Sequence, residues 1–431
     1  MKISISIIIL IFSCLIYSQD YWQKIQTPVD LKLNTIYCLD SSNIWVGADS
    51  GKVLYTSDKG NTWRISETGR NENLVKLFFL DENLGWGIVH YENFPEYRSI
   101  ILNTTNGGID WDYSFYRIEN VFLYSIVFFD TLSGWIGGDI ELAYTEDGGQ
   151  NWLVPQNIDS TFIYLPIYDL KFFNRQIGYA VGGYIDFVGV VWTTVDSGKS
   201  WDSRLVTADP PYDIHIFSAN EAYALTSDIE KNYNIEVLKT LNRGIDWTVE
   251  ILDVFGTVSA ISFRNNFEGW ATMGRDKLAL NTFDGGKTWD YYPLPDSTAI
   301  YDVQFIDSLN GFMVGEGGSF FVYQPQEPSS VIDFSKLKNP DHFHLFQNYP
   351  NPFNAQTEIK YALENESFIS LKLFNLLGEE IKTLDNSWRN RGIHSVSIEL
   401  NDLPSGVYLY QLNINEPTIS RSITKKMVLL K

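Results

Sequence analysis

Thr56-Ser57-Asp58-Lys59-Gly60-Asn61-Thr62-Trp63 decides the fold, because the pattern recurs. Thr, any residue, Asp or Asn, any residue, Gly, two further residues and Trp return at residues 104–111, 145–152, 194–201, 240–247 and 282–289. Successive Trp stand 48, 41, 49, 46 and 42 residues apart. A repeat of that length is the unit of a propeller. Within it, Gly tolerates positive φ in a tight turn. The Asp or Asn side chain can bond turn N–H groups, and the Trp buries a large ring beside a strand. Asp58, Asn106, Asp147, Asp196, Asn242 and Asp284 are therefore read as turn-formers, not as catalytic acids or metal ligands. They recur from repeat to repeat and would lie far apart around a ring.

A second marker runs between these boxes: a short apolar run, a turn with Asp or Asn, then an aromatic. It centres on Trp45, Trp86, Trp135, Tyr179, Tyr223, Trp270 and Phe312, seven markers against six boxes. Seven residues before six of these aromatics stand Cys38, Phe79, Phe128, Phe172, Phe263 and Phe305. Cys38 thus fills a column of Phe and reads as a small buried apolar residue. Each repeat reads as four short strands. The seventh has strands at residues 301–306, 311–315 and 319–323 and no box after them. Trp22 stands where a box Trp would, so the N-terminal strand is expected to complete the last blade. Such closure protects sheet edges. The expected fold is all-β: a seven-bladed β-propeller over residues 19–323, closed by its N-terminal strand.

Lys2 followed by apolar residues 3–15 and Tyr17-Ser18 reads as a secretory signal, residues 1–18, cut after Ser18. Lipoprotein processing at Cys14 is the rival. No other apolar run reaches the length of a membrane span. Formal net charge is −21, yet residues 343–431 hold nine Lys/Arg and nine Asp/Glu, so the excess lies in the first part. An acidic body argues against nucleic acid as partner. It suits a solvated surface that keeps an exported protein soluble. Cys38 has no partner after signal removal, so stability must come from packing.

The repeat stops at Tyr323, and residues 324–342 read as a semi-rigid linker containing Gln324-Pro325-Gln326-Glu327-Pro328-Ser329-Ser330. A different domain, residues 343–431, opens with Leu345-Phe346-Gln347-Asn348-Tyr349-Pro350-Asn351-Pro352-Phe353-Asn354. Alternation follows at Ile359, Tyr361 and Leu363, then at Ile369, Leu371 and Leu373. Ser405-Gly406-Val407-Tyr408 starts another strand, and the chain ends Lys425-Lys426-Met427-Val428-Leu429-Leu430-Lys431. Strands of period two with turns between them read as a small Ig-like antiparallel β-sandwich.

The eight-residue boxes resemble the Asp-box, or bacterial neuraminidase repeat. With the strand and Gly-Trp pattern they look most like the photosystem II assembly/stability factor family. That resemblance implies fold and says little about function. The tail resembles the type A C-terminal sorting domain of the type IX secretion system. Its opening, Gly406 and Tyr408, and Lys426, Met427 and Lys431 carry the match. The resemblance implies the type IX machinery as partner, export across the outer membrane, and a cell-surface or extracellular address.

Catalytic motifs are sparse. A sialidase needs an Arg triad, and its usual first-Arg motif is represented only by Phe263-Arg264-Asn265-Asn266. No Gly-x-Ser-x-Gly elbow occurs. The five His are scattered, and His342-Phe343-His344 alone makes a weak metal site. No cofactor and no metal are expected. The expected function is non-enzymatic binding of a glycan, peptide or protein. A glycoside hydrolase on the same ring and an envelope assembly factor are the alternatives. The expected ligand face carries three enlarged loops between second and third strands. They supply Tyr91, Phe94, Tyr97 and Arg98; Tyr184 and Asp186; and Glu230 and Tyr233. Aromatic rings mixed with charges suit sugars or extended peptides.

Overall fold

The computed structural model describes residues 21–93, 95–155, 157–158, 164–228, 234–294, 297–325, 344–345, 348, 353–354, 356–363, 365–375, 379–400, 403–415 and 420–429. Two compact units divide between Pro325 and Gln326. The expected signal segment, residues 1–18, lies outside the described residues, as do Phe94, Glu230, Tyr233 and Lys431.

The first unit is an all-β propeller. Its described residues form seven antiparallel sheets, numbered here from Leu33 onward. Their first strands are Leu33–Cys38, Leu74–Phe79, Leu123–Phe128, Ile167–Phe172, Ile214–Ile216, Ala260–Phe263 and Ile300–Phe305. Each first strand touches the next, and the seventh touches the first. The N-terminal strand Trp22–Gln26 pairs antiparallel with Ser319–Tyr323, the third strand of sheet 7. Trp22 is buried and packs edge-on against Trp270, Phe305 and Tyr323. Sheet 3 departs from the four-strand reading. It has three strands and a lone bridge, Tyr144 to Leu153. Pro155 has no N–H to continue that ladder. The segment Asn157–Ile158 instead pairs parallel with Ser200–Trp201 of sheet 4.

A cross-strand rule spaces the sheets. Phe79 faces Gly85, Phe128 faces Gly134, Phe172 faces Gly178, Phe263 faces Gly269, and Phe305 faces Gly311. A Cβ on any of these Gly would come within 2.3–2.7 Å of the Phe ring. The bare backbone therefore lets the ring lie flat and receive the neighbouring sheet. Trp45 stacks on Phe79 at 3.8 Å and Trp86 on Phe128 at 3.6 Å. Each sheet interface holds an apolar cluster of this kind.

The box turns share one hydrogen-bond plan. Thr56 Oγ1 donates to Asp58 Oδ1 at 2.8 Å and accepts from Gly60 N–H at 2.8 Å. Asp58 Oδ1 accepts from Thr62 N–H at 2.8 Å, and its other oxygen accepts from Thr62 Oγ1 at 2.7 Å. The same network recurs around Asp147, Asp196 and Asp284. Asn106 and Asn242 add a donor, which reaches Asp110 and Asp246 at 3.0 and 2.9 Å.

The second unit holds two antiparallel sheets. One joins His344–Leu345, Gln356–Leu363 and Gly392–Glu399. The other orders Glu380–Arg389, Ser367–Phe374, Gly406–Asn415 and Ser420–Leu429. Their inner faces build one core containing Tyr361, Leu371, Tyr410, Leu412, Met427 and Leu429. Buried Asn348 donates its N–H to the Tyr410 hydroxyl at 2.8 Å and its Nδ2 to Thr357 Oγ1 at 3.0 Å.

Candidate functional site

The innermost strand of any propeller sheet has a free edge of N–H groups facing the axis, and those groups need partners. Here side chains from the preceding sheet supply them. Asp302 Oδ2 accepts from Ile36 N–H at 3.0 Å, and Gln304 Oε1 from Cys38 N–H at 2.9 Å. Asp213 Oδ2 accepts from Ile261 N–H at 2.8 Å. Ser125 and Ser262 cap Leu170 and Phe305, each at 3.0 Å. The polar residues come from two positions of the strand. With the first strands aligned, one column holds Thr35, Lys76, Ser125, Asp169, Asp213, Ala260 and Asp302. The column two residues on holds Tyr37, Phe78, Val127, Lys171, His215, Ser262 and Gln304.

These columns surround an axial cavity of ≈ 410 Å³ to which all seven first strands contribute. Its charged residues come from sheets 2, 4, 5 and 7. Lys76 Nζ lies 3.1 Å from Asp169 Oδ1, and Lys171 Nζ lies 3.2 Å from Asp169 Oδ2. Lys171 also pairs with Asp213 and donates to Ile214 O at 2.9 Å. Burial would raise the Asp169 carboxyl, but Lys171 and Lys76 outweigh it and hold it below the usual carboxylate range. Asp213 goes the other way. Burial, with the charge of Asp169, pushes it up to about 7 despite Lys171. Burial above all, and then Lys171, pushes His215 down to about 3. His215 is therefore neutral and accepts at Nδ1 from Phe263 N–H, at 3.4 Å.

Where the first strands begin, a mouth of ≈ 220 Å³ continues the cavity, sharing Lys76, Asp213 and Asp302 with it. Tyr124, Tyr168, Tyr212 and Tyr301 line it. Tyr124 and Tyr168 are 5.3 Å apart, and Tyr168 and Tyr212 4.8 Å apart. Tyr124 donates to Asp139 and Tyr301 to Glu316, each at 2.7 Å.

The expected ligand residues divide. The first enlarged loop is instead a strand hairpin, because the ladder between Gly85–Asn93 and Glu96–Thr104 runs out to the Asn93–Glu96 pair. Its alternating aromatic and polar residues continue the strand period. Tyr91 packs on Phe115 beneath Arg70, and Arg98 pairs with Glu119 over Phe115. Those side chains serve a local cluster. Tyr97 is partly exposed beside Phe122. Tyr184 is exposed and acts weakly on Tyr124 and Tyr168, but it does not line the mouth. Asp186, at φ 56°, is tied through its N–H to Asp209 Oδ1 at 2.7 Å. Arg264 bonds Glu268 Oε2 at 2.8 Å and Tyr323, tying sheet 6 to sheet 7. In the tail, the Tyr408 hydroxyl donates to Pro404 O at 2.7 Å, and Met427 is fully buried opposite it.

Residues 347–429 match the secretion system C-terminal sorting domain. The tail is a type IX sorting domain. Through this sorting domain the chain engages the type IX secretion machinery, which exports it to the cell surface or extracellular space. Among the described residues no helix is long and apolar enough to cross a membrane. The first unit is similar to the photosystem II assembly lipoprotein Ycf48 of Synechococcus sp. (strain CC9902). The two are 24% identical, over 60% of this chain and 86% of that protein. The solved YCF48 from Cyanidioschyzon merolae superimposes with a TM-score of 0.57 at 19% identity, covering 71% of this chain and 99% of that one. YCF48 bound to D1 peptide gives 0.56 at 18%, covering 71% and 95%. These likenesses show a shared propeller fold.

Proposed function

We propose that the sorting domain delivers a non-enzymatic binding propeller, which takes a peptide or protein ligand at the mouth of its axial cavity. The observation that carries this reading is a break in repeat symmetry. The box turns repeat one structural plan, whereas the mouth gathers three neighbouring tyrosines over an uneven set of charges. A site built on a repeat scaffold is expected where the repeats differ. Tyr97, Tyr184 and Asp186 extend the same face. YCF48, which shares the fold, is bound to a D1 peptide in one solved structure, and that class of ligand is carried over to this chain as part of the proposal. A glycan remains the alternative ligand.

The reading includes a closed seven-bladed ring of Asp-box repeats over residues 19–323, a signal peptide at 1–18, a linker at 324–342 and an Ig-like sandwich at 343–431. For the glycosidase alternative, two carboxylates should stand about 5–10 Å apart around a substrate. Asp169 and Asp213 instead share Lys171 and interact directly with each other, which favours a structural and recognition role. Peptide-library and glycan-array binding on the secreted protein tests the proposal. Replacing Tyr124, Tyr168 and Tyr212 together by Ala should abolish the signal. Undiminished binding by that variant places the site elsewhere.

A further inference from the structure

The mouth has unused acceptors. Thr35 is 2% exposed, and its hydroxyl has no hydrogen-bond partner among the described residues. Asp302 caps Ile36 N–H with Oδ2, while Oδ1 has no partner among the described residues. The two stand on neighbouring sheets, and both line the mouth. On the other side of Asp302, the residue of sheet 6 in the same column is Ala260, preceded by Ser259. Small side chains there leave a notch between the carboxyls of Asp302 and Asp213.

The cations nearby are already committed. Lys76 is held by Asp169 and feels Asp302 and Asp213 more weakly, and Lys171 is held by Asp169 and Asp213. Three carboxyls, Asp169, Asp213 and Asp302, thus face two ammonium groups. Burial above all, with the charge of Asp169, raises the Asp213 carboxyl even with Lys171 upon it. His215 is neutral and adds no positive charge. Around the rim, Asp139, Asp209, Asp49 and Glu316 act on the tyrosines, against Arg275 and Lys32. The ring faces suit cations too. Lys32 Nζ already sits 4.0 Å over the Tyr301 ring. An ammonium or guanidinium over Tyr168 or Tyr212 would gain the same attraction.

From this geometry we propose, resting on the binding reading above, that the mouth recognises one lysine or arginine side chain of an extended peptide. The head group donates to Asp302 Oδ1 in the notch beside Ala260, and its stem lies along Tyr168 and Tyr212. The mouth, ≈ 220 Å³, is smaller than the ~300–1,000 Å³ of small-molecule sites, which suits a side chain inserted from a larger partner.

The test is calorimetric titration of the full secreted chain with blocked Gly/Ser nonapeptides carrying a central Lys, Arg, Gln or Glu. A glycan array on the same preparation forms the second arm. Lys and Arg peptides should bind at least about tenfold tighter than Gln, and Glu peptides weakest. Asp302→Asn keeps the acceptor for Ile36 N–H and should lose about tenfold for Lys with an unchanged unfolding midpoint. Ala260→Leu should fill the notch and weaken Lys binding without touching a charge. Equal binding of Lys and Gln peptides, or Lys binding indifferent to Asp302→Asn, overturns the cation site while leaving a peptide-binding propeller. Binding to glycans alone overturns the cation site and leaves a glycan-binding propeller. Binding to neither peptide nor glycan overturns both readings.

Discussion

Cys38 pairs across the first hairpin with Ile44, at the position where five other sheets pair Phe with Gly. Sheet 5 shows the same exchange, with Ile216 opposite Ala222. Where the large ring is lost, the partner regains a side chain, so the volume between sheets is kept. Cys38→Phe alone should overpack the site against Ile44 and cost about 1–3 kcal/mol of unfolding free energy. Ile44→Gly alone should leave a void. The double variant should recover much of both losses, and a double-mutant cycle on denaturant midpoints measures the coupling. Additive losses would show that the two residues do not share one space.

The box turns carry a second compensation. Asp58, Asp147, Asp196 and Asp284 are followed four residues on by Thr62, Asn151, Ser200 and Thr288, all donors. Asn106 and Asn242 are followed by acceptors, Asp110 and Asp246. Asn106→Asp should therefore set two carboxylates together and lose about 0.2–1 kcal/mol at neutral pH. Asn106→Asp with Asp110→Asn should restore it, read by thermal unfolding.

These turns also set an acid limit. The N–H of Thr62 lowers Asp58, and that of Asn151 lowers Asp147. At Asp196 and Asp284 burial acts upward, but bonds from Ser200 and Thr288 outweigh it. Folded values lie below the ordinary 3.8 in all four. Their stabilisation is thus complete above pH 3.8 and fades as pH falls through the lowered values. The unfolding midpoint of the propeller should decline in that acid window. Asp58→Asn should remove part of the decline, and a midpoint flat down to pH 2 would contradict the account.

The repeat was legible because its signals are local. Gly, Asp and Trp at fixed offsets encode a turn whose bonds all close within eight residues. The tail was legible for a similar reason, since its alternation is regular from Ile359 to Leu373. The axial site was not, because its residues are contributed one or two at a time by seven strands. Lys76, Asp169, Asp213 and Asp302 look like ordinary polar positions of alternating strands until the first strands are placed in register. The signal present in the sequence was the column itself, which mixes Thr, Lys, Ser, Asp and Ala where the column after it, from Ile36 to Val303, stays apolar. Tyr124, Tyr168, Tyr212 and Tyr301 form another such column. Pro155, which marks the interrupted edge of sheet 3, was equally visible and is a matter of one missing N–H.

The seventh sheet depends on a strand from the opposite end of the chain. Trp22 is buried among Trp270, Phe305 and Tyr323, and five residue pairs join its strand to Ser319–Tyr323. Trp22→Ala should cost about 3–5 kcal/mol, as for other buried aromatics. Removing residues 21–26 should do more, because it bares the outer edge of Ser319–Tyr323 to other chains. Light scattering during refolding should then rise with protein concentration. A truncated chain that stays monomeric and keeps its unfolding midpoint would show that the strand does not close the sheet.

The last strand of the sorting domain is both an edge of its sheet and part of its core. Ser420–Leu429 pairs with Gly406–Asn415 over ten residue pairs, setting Met427 opposite Tyr408 and Leu429 opposite Gly406. Deleting residues 425–431 strips five of those pairs and empties the places of Met427 and Leu429 in the core. The protein should then accumulate in the periplasm and be missing from the surface fraction. Loss of export could follow from unfolding alone, so Tyr408→Phe supplies the control. It removes only the hydroxyl bond to Pro404 O, at about 1 kcal/mol, and keeps the ring in place. Tyr408→Phe should fold and still reach the surface, and a retained 425–431 deletion whose sorting domain stays folded would place the export signal in the terminal strand itself. If Tyr408→Phe is also retained although folded, the turn at Pro404 belongs to the surface that the secretion machinery reads. Normal surface delivery of the 425–431 deletion would exclude the terminal strand from that surface.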